Sequence, residues 1–536
     1  MYKGGCYETT NAIGKTMCTK AAEGVCTAPA SGYFVPGDKV ANTEQSVVSC
    51  GDAATGVTVA ADSGNKYKGI ANCEECTTPD AAAGARATDK FAKCTKCSAG
   101  KYLKDDGSTT QCVATANDCG DGYAAKQDTD KGNQCVSCED TTKGVTGCAK
   151  CTYDSAKTRL KCTKCKDPNY LKTAADGPTT CVAKGDCKDD YFTVDDPTNG
   201  HKCVSCGDTT GVTVDTNKKY VGVGGCAKCT EPAAISGDTG GTAIATCTKC
   251  TSNKLSPLGD ACLAACPAGT YDSSNVCTPC HTSCSSCSDA ASTSCTACYP
   301  GSVLSRATDS STTGTCIPEC TGKFAENCGA NQYTAVLGGS KYCSRCKSGF
   351  VPVDGVCVSA TTRTPNGCTP GDGVCSSCTS TYFLESGGCY QSTAYPGKTL
   401  CSNAADGKCN TCANTLSPDS NGVCPACPAG CSKCTASSNS QTCSECLAGY
   451  YKSGTSCVKC SENSADGNIK GVPNCVSCDP PSGNTGPVTC YVAQSSGPAD
   501  LSRVYLHREL RRQFTLATSP WGTTYFWPST SGTYVV

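Results

Sequence analysis

This chain of 536 residues is short of almost everything that builds a globular core. Leu, Ile, Val and Phe number 64, about 12%, against the roughly 20% below which burial cannot offset the entropy of ordering the backbone. That excludes a large hydrophobic core. Nothing approaches the roughly 18 consecutive apolar residues of a membrane-spanning helix, and residues 1–25 hold no apolar run of the kind a secretory signal requires. An excess of one charge is missing too: 46 Lys and Arg face 47 Asp and Glu, interspersed, for a net charge of −1. Nucleic acid and anionic membrane surfaces are therefore not expected partners, since both need clustered cations. Only three histidines occur, His201, His281 and His507, none in a recognisable nucleophile motif. No Asn-x-Ser/Thr acceptor is present, so no glycan shield on Asn is expected.

What the chain has instead is cysteine, 56 residues of it, about one in ten, the proportion of a disulfide scaffold. Such a framework persists only in an oxidising compartment, which points to a secreted or cell-surface protein. Nineteen copies of Cys-x-x-Cys run from Cys73 to Cys478. A series from Cys94-Thr-Lys-Cys97 through Tyr102-Leu103 and Cys135-Val-Ser-Cys138 to Cys148-Ala-Lys-Cys151 restarts at Cys162-Thr-Lys-Cys165 and passes Tyr170-Leu171, Cys203-Val-Ser-Cys206 and Cys226-Ala-Lys-Cys229. Two tighter clusters resemble furin-like repeats: Cys277-Thr-Pro-Cys280, Cys284-Ser-Ser-Cys287 and Cys295-Thr-Ala-Cys298, then Cys424-Pro-Ala-Cys427, Cys431-Ser-Lys-Cys434, Cys443-Ser-Glu-Cys446 and Cys457-Val-Lys-Cys460.

Gly387-Gly-Cys-Tyr390, followed by Gly397-Lys-Thr-Leu-Cys401 and Cys409, repeats Gly4-Gly-Cys-Tyr7, Gly14-Lys-Thr-Met-Cys18 and Cys26 at identical spacings. The first copy starts in mid-module, so a segment upstream is expected and an orphan thiol is expected near Cys6. A degenerate repeat places Val47 where a cysteine belongs, leaving Cys50 without its usual neighbour. Gly after a cysteine pair and before an aromatic, as in Gly100, Gly349 and Gly449, predicts a turn that lays the ring on a disulfide.

The expected fold is therefore a set of small disulfide-rich repeats: an elongated tandem array of short β-hairpins and loops, with little helix, no large hydrophobic core and modules that touch only their neighbours. Seven segments are readable. Residues 1–93 form a truncated Gly-Gly-Cys-Tyr module, 94–161 and 162–246 are Cys-x-x-Cys repeats, and 247–345 is a furin-like region. Residues 346–413 are a second Gly-Gly-Cys-Tyr module and 414–494 a second furin-like region. The segment 495–536 is unrelated: it has no cysteine, both tryptophans (Trp521 and Trp527) and a basic cluster around Arg508, Arg511 and Arg512. It is expected to be an unstructured tail or a frame-shifted end, with a basic amphipathic helix over residues 501–514 as the alternative.

Three chemistries use Cys-x-x-Cys. The favoured one is structural: Cys135, Cys138, Cys148, Cys151, Cys162, Cys165, Cys203 and Cys206, together with the furin-like cysteines named above, are disulfide halves. A bridge between units contributes roughly 3 kcal/mol against roughly 2 within one unit. The second is zinc, for which Cys73, Cys76, Cys94 and Cys97, or Cys226, Cys229, Cys247 and Cys250, have the spacing of a four-thiolate site. The third, thiol exchange, needs a strand-helix-strand setting that is not readable here. No cofactor other than zinc is expected. The acid pairs Asp105-Asp106, Asp189-Asp190 and Asp195-Asp196 are solvated loop charges by default and calcium ligands otherwise.

The combination of Cys-x-x-Cys units, furin-like (growth-factor-receptor or EGF-like) clusters and Gly-Gly-Cys-Tyr motifs resembles the Giardia variant-specific surface proteins over about residues 1–494. The resemblance implies a non-enzymatic coat antigen at the plasma membrane, involved in antigenic variation, with host antibodies and neighbouring coat molecules as partners. It also modestly raises the zinc reading. The family's signal peptide and C-terminal membrane anchor are not readable in this chain. The competing reading is a receptor-like or secreted binding module, which would show an apolar or aromatic patch on particular modules.

Overall fold

A computed structural model describes residues 1–37, 39–79, 88–215, 217–236, 240–308, 311–362, 365–437 and 440–494. The basic, aromatic segment 495–536 lies outside the described residues. The described chain divides into two compact units, one holding Met1–Gly222 and Cys229–Ala245, the other Val223–Lys228 and the described residues from Thr246 on.

Secondary structure is short strands in sheets of two to four. Among the described residues, helix is limited to one turn at Ala12–Lys15 and four 3-10 turns. The turn after each Gly-Gly-Cys-Tyr motif explains its glycine. Gly14 and Gly397 are buried in the helical turn and the 3-10 turn of the two copies, and a Cβ on either would collide with a backbone carbonyl, of Glu8 or of Gln391. Elsewhere Gly100, Gly349 and Gly449 take φ of 79°, 84° and 90°, the left-handed turns their positions required.

Two building blocks recur. The first joins two hairpins through a parallel contact between their inner strands. Tyr102–Asp105 pairs antiparallel with Thr110–Val113, Tyr123–Lys126 pairs with Gln134–Ser137, and Leu103 faces Gln134 across the parallel seam. The same order recurs with Tyr170–Thr173, Thr179–Val182, Tyr191–Val194 and Lys202–Ser205, and again with Phe350–Val353, Val356–Ser359, Tyr382–Glu385 and Gly388–Gln391. An isolated hairpin is marginal in water, and pairing the inner edges satisfies backbone groups that would otherwise lie open. Aromatics then settle on the bridges: Tyr102 packs with Cys119 and Cys135, and Tyr170 and Tyr191 with Cys187 and Cys203. Lys104 and Lys172 lie over the rings of Tyr123 and Tyr191, 4.7 and 4.3 Å from their centroids, a contact repeated from one module to the next.

The second block is a bulged hairpin with a Cys-x-x-Cys on each strand. In Cys148–Asp154 and Arg159–Cys165 the strand register sets Cys148 opposite Cys165 and Cys151 opposite Cys162. The bridges ignore these facing pairs. One runs diagonally inside the hairpin, Cys148 to Cys162; Cys151 reaches back to Cys138, and Cys165 reaches forward to Cys181. Cys73, Cys76, Cys94 and Cys97 adopt the same plan, as do Cys284, Cys287, Cys295 and Cys298 and, later, Cys431, Cys434, Cys443 and Cys446. Each hairpin is locked once internally and tied to the chain on both sides.

Among the described residues no large core forms. Apolar residues gather in small clusters, of which one in the second unit combines Val303, Phe324, Leu337, Tyr342, Phe383 and Tyr390 with cysteines. That unit departs from nearest-neighbour stacking. Gln494 Nε2 donates to Thr282 O at 3.3 Å, Arg306 reaches Tyr395 O at 2.6 Å, and Gly269 leaves no room for a side chain against Tyr299 and Val492. The segments around 269–299 and 449–494 therefore touch, with Tyr299 and Val492 buried where Gly269 and Gly449 leave room.

Replacing Cys119 and Cys135 together by Ala removes a bridge of sequence separation 16 and is expected to cost about 3 kcal/mol locally. Amide hydrogen exchange should lose protection in Tyr123–Lys126 and Gln134–Ser137 while Phe350–Val353 is unchanged. Uniform loss across both would show that the modules do not hold themselves.

Candidate functional site

Of the 56 cysteines, Cys6 and Cys320 are unpaired and the other 54 form 27 bridges. No Cys-x-x-Cys closes on itself; sequence separations run from 7 to 26. The furin-like cysteines obey the same rule, with Cys277 bonded to Cys266, Cys280 to Cys287, Cys424 to Cys412, Cys427 to Cys434, Cys457 to Cys446 and Cys460 to Cys478. Cys135 and Cys203 join Cys119 and Cys187.

The eight cysteines with zinc spacing are all in bridges: Cys73 with Cys94, Cys76 with Cys50, Cys97 with Cys112, Cys226 with Cys247, Cys229 with Cys206 and Cys250 with Cys262. A disulfide sulfur is not a thiolate, so neither set fits a four-thiolate zinc site in this oxidised form. What the spacing produces instead is a contact between two bridges. Sγ of Cys94 lies 3.6 Å from Sγ of Cys112, and the same approach recurs between Cys162 and Cys181 at 3.7 Å, Cys247 and Cys262 at 4.0 Å, and Cys409 and Cys424 at 3.5 Å. These sulfur clusters pack as small apolar nodes.

The structure explains why some repeats lack cysteines. By strand register, Tyr33 and Phe34 stand where Tyr450 and Tyr451 stand, and Val47 and Pro29 occupy the places of Cys457 and Cys446, a bonded pair. Both halves of that bridge are absent together. Cys50 keeps its own partner, Cys76, and Val47 is buried against Met17, Cys18 and Cys26. Ser392 and Ala404 likewise hold the positions of Cys138 and Cys151, and both are buried. Glu319, whose N–H donates to Gly301 O as that of Cys460 donates to Gly449 O, stands in place of Cys460, and Asn331 in place of Cys478. Cys320 sits one residue past its bridging position, with φ of 60°. Burial, first, and then Glu319 push its thiol up, away from the reactive thiolate. Cys6 matches Cys389, whose partner Cys378 lies eleven residues earlier.

Other polar groups serve turns. Nδ1 of His201 accepts from Asp196 N–H at 3.2 Å, and its ring stacks on Tyr170 with centroids 5.0 Å apart. His281 meets Ser283 Oγ at 2.8 Å, a contact across one turn. His507 lies outside the described residues. In the acid pairs, Asp106 accepts from the backbone N–H groups of Ser108 and Thr109, Asp196 from those of Thr198 and Asn199, and Asp195 from Tyr170 and Lys184. Backbone donors and the neighbouring hydroxyls hold Asp106 well below the usual carboxylate range. The Lys131 N–H and then Lys126 bring Asp128 down to about 2. No described helix is long and apolar enough to cross a membrane.

Tandem hairpins held by short-range bridges, many bonded both internally and to the chain on either side, with sulfur nodes in place of a core, define a cysteine-rich disulfide-repeat protein. The profile described as Giardia variant-specific surface protein matches residues 162–410 and 404–505. A curated relative from Giardia intestinalis, the major surface-labeled trophozoite antigen 417, is 35% identical over 94% of this chain and 83% of its own length. The variant-specific surface protein VSP4A1 of the same organism is 29% identical over 89% of this chain and 77% of its own. The chain belongs to the Giardia variant-specific surface protein family. No solved structure matches it.

The bridge register and the turn carboxylates each lead to a measurable outcome. Ser392→Cys combined with Ala404→Cys should close one further bridge, leaving the number of free thiols by alkylation and mass spectrometry at two; four free thiols would refute the alignment. Carboxylates whose folded pKa is depressed contribute stability above their unfolded value near 4. That contribution is lost as pH falls through the folded values, about 2 for Asp128. Hydrogen exchange in the 128–133 loop should stay slow from pH 7 to about 4 and accelerate, relative to the intrinsic rate, only toward pH 2. Acceleration already at pH 5 would contradict it.

Proposed function

We propose that this chain is a non-enzymatic coat antigen displayed at the cell surface, one version among variants, whose partners are host antibodies and neighbouring coat molecules. The observation that carries the reading is the distribution of the bridges: nearly every cysteine is committed to holding short hairpins, and the residues between them form exposed turns such as 105–109, 128–132 and 154–158. A surface built this way changes its outward residues without disturbing what holds it together. Non-catalytic action is supported by the placement of His201 and His281 in local turn contacts and by bridges that occupy the thiols. The curated relatives carry the names of surface antigens, which supports the same address for this chain.

Serum raised against the oxidised chain should label live, unpermeabilised cells that express it and should lose at least about tenfold of its titre once the antigen is reduced and alkylated, because the turns keep their shape only while bridged. Staining that appears only after permeabilisation would overturn surface display. An unchanged titre on the reduced chain would overturn the conformational reading.

A further inference from the structure

The bulged hairpin holds its cysteines so that a second pairing lies within reach. In Cys148–Asp154 and Arg159–Cys165 the bridges run from Cys148 to Cys162 and from Cys165 forward to Cys181. Two unbonded pairs stand beside them. Cys148 faces Cys165 across the strands, and facing residues have Cα atoms about 4.5–5.5 Å apart, inside the window a disulfide needs. Sγ of Cys148 also lies 3.7 Å from the carbonyl oxygen of Lys164, the residue next to Cys165. In the other pair, Sγ of Cys162 lies 3.7 Å from Sγ of Cys181, and the sulfurs of Cys162, Cys165 and Cys181 are all within 4.8 Å of one another. Exchanging partners asks the side chains to turn and leaves the strands paired. Access decides where such an exchange begins. Cys148, Cys162 and Cys165 are exposed by only 1%, 1% and 2%, whereas Cys181, on the edge strand Thr179–Val182, is half-buried. A small external thiol enters at Cys181.

We propose that this hairpin is a site of disulfide interchange driven by a low-molecular-weight thiol, which is returned unchanged. The external thiolate attacks Cys181 Sγ, the Cys165–Cys181 bond breaks, and Cys165 leaves as a thiolate. Cys165 attacks Cys148 Sγ, and Cys162 departs with the electron pair of the broken Cys148–Cys162 bond. Cys162 then attacks Cys181 and expels the external thiolate. Two bridges break and two form, Cys148–Cys165 and Cys162–Cys181, with no net oxidation or reduction. No low-pKa cysteine at a helix terminus is needed, because the nucleophile comes from outside. The hairpin stays tied to the following module, through Cys162 in place of Cys165, and its internal lock moves from the diagonal to the facing pair. One sequence thereby holds the exposed turn 154–158 in two covalent frames. The juxtaposition recurs where Cys73 faces Cys97 and Cys94 lies 3.6 Å from Cys112, and where Cys401 faces Cys412 and Cys409 lies 3.5 Å from Cys424.

The test holds the full oxidised chain with reduced glutathione at about pH 8, close to the ~8.5 of a free thiol, without oxygen or denaturant. The mixture is quenched in acid, digested at acid pH and mapped by mass spectrometry. Peptides joining Cys148 to Cys165 and Cys162 to Cys181 should appear together and in equal amounts. They should exceed by at least about tenfold any new pairing between cysteines that are not in such contact, because neighbouring groups react as if highly concentrated. The bridge Cys187–Cys203, which packs with Tyr170 and Tyr191 instead of a second bridge, should keep its partners. Cys181→Ser supplies the nucleophile internally: with Cys165 left free, Cys148 should be found bonded to Cys165 as well as to Cys162 with no thiol added. Absence of the swapped peptides from the native chain, one swapped peptide without the other, pairings scattered over Cys187 and Cys203 to the same extent, or a folded Cys181→Ser chain with Cys148 bonded to Cys162 alone would each overturn the proposal.

Discussion

The bridge that leaves a hairpin, rather than the one inside it, is the tie on which the rest depends. A hairpin of four to seven residues per strand buries too little to stand alone, and the apolar side chains here are too few to cover it. Cys151 to Cys138 and Cys165 to Cys181 fasten one such hairpin to the modules on either side of it. Every other feature rests on that restraint: the parallel seam at Leu103 and Gln134, the tyrosines lying on bridges, and the turns closed by Asp106 and Asp128. Because no partner lies more than 26 residues away, each pairing is local. The loop-closure entropy is correspondingly small, and the cysteines can find their partners as the chain emerges.

Much of this was legible in the sequence and some was not, for physical reasons that differ. Composition alone decided for a scaffold without a core, since neither the count of Leu, Ile, Val and Phe nor the density of cysteine admits another solution. The turn glycines before Tyr102, Phe350 and Tyr450 were equally readable, because a left-handed φ leaves few alternatives. The connectivity was not: four cysteines in a hairpin allow three pairings, and only the folded chain shows that Cys148 bonds to Cys162 rather than to the facing Cys165. Val47 was recognisable as a missing cysteine, but its counterpart Pro29 was hidden until the bridging partner of the equivalent Cys457 was known. The same ignorance made the pairs with zinc spacing look like ligand sets, when that spacing instead brings two bridges into contact. The approach of the two furin-like regions, through Tyr299 and Val492, depends on residues with no periodic signature.

The joint disappearance of bridge halves says how this framework tolerates change. A single lost cysteine leaves a thiol that is free to pair wrongly in an oxidising compartment, whereas losing both leaves a gap that buried side chains such as Val47, Ser392 and Ala404 occupy. The modules therefore vary in bridge number without varying in plan. In a surface antigen, constancy of the backbone beneath a changeable exterior is what a recognition system would have to contend with.

The short reach of the bridges also sets the topology of the covalent graph. No bridge spans the chain at several points, among them between Cys26 and Cys50, Cys112 and Cys119, Cys181 and Cys187, Cys316 and Cys328, and Cys357 and Cys368. Elsewhere the loops overlap at most in pairs, as Cys138–Cys151 does with Cys148–Cys162. The molecule is a string of separately closed rings rather than one net. A break in the backbone inside a ring leaves both ends attached, but a break in a gap such as 113–118 leaves only non-covalent contacts between the two pieces. The heavily cross-linked chain thus keeps single-bond seams between its rings, and its durability against cleavage is set by those short segments more than by the number of its disulfides.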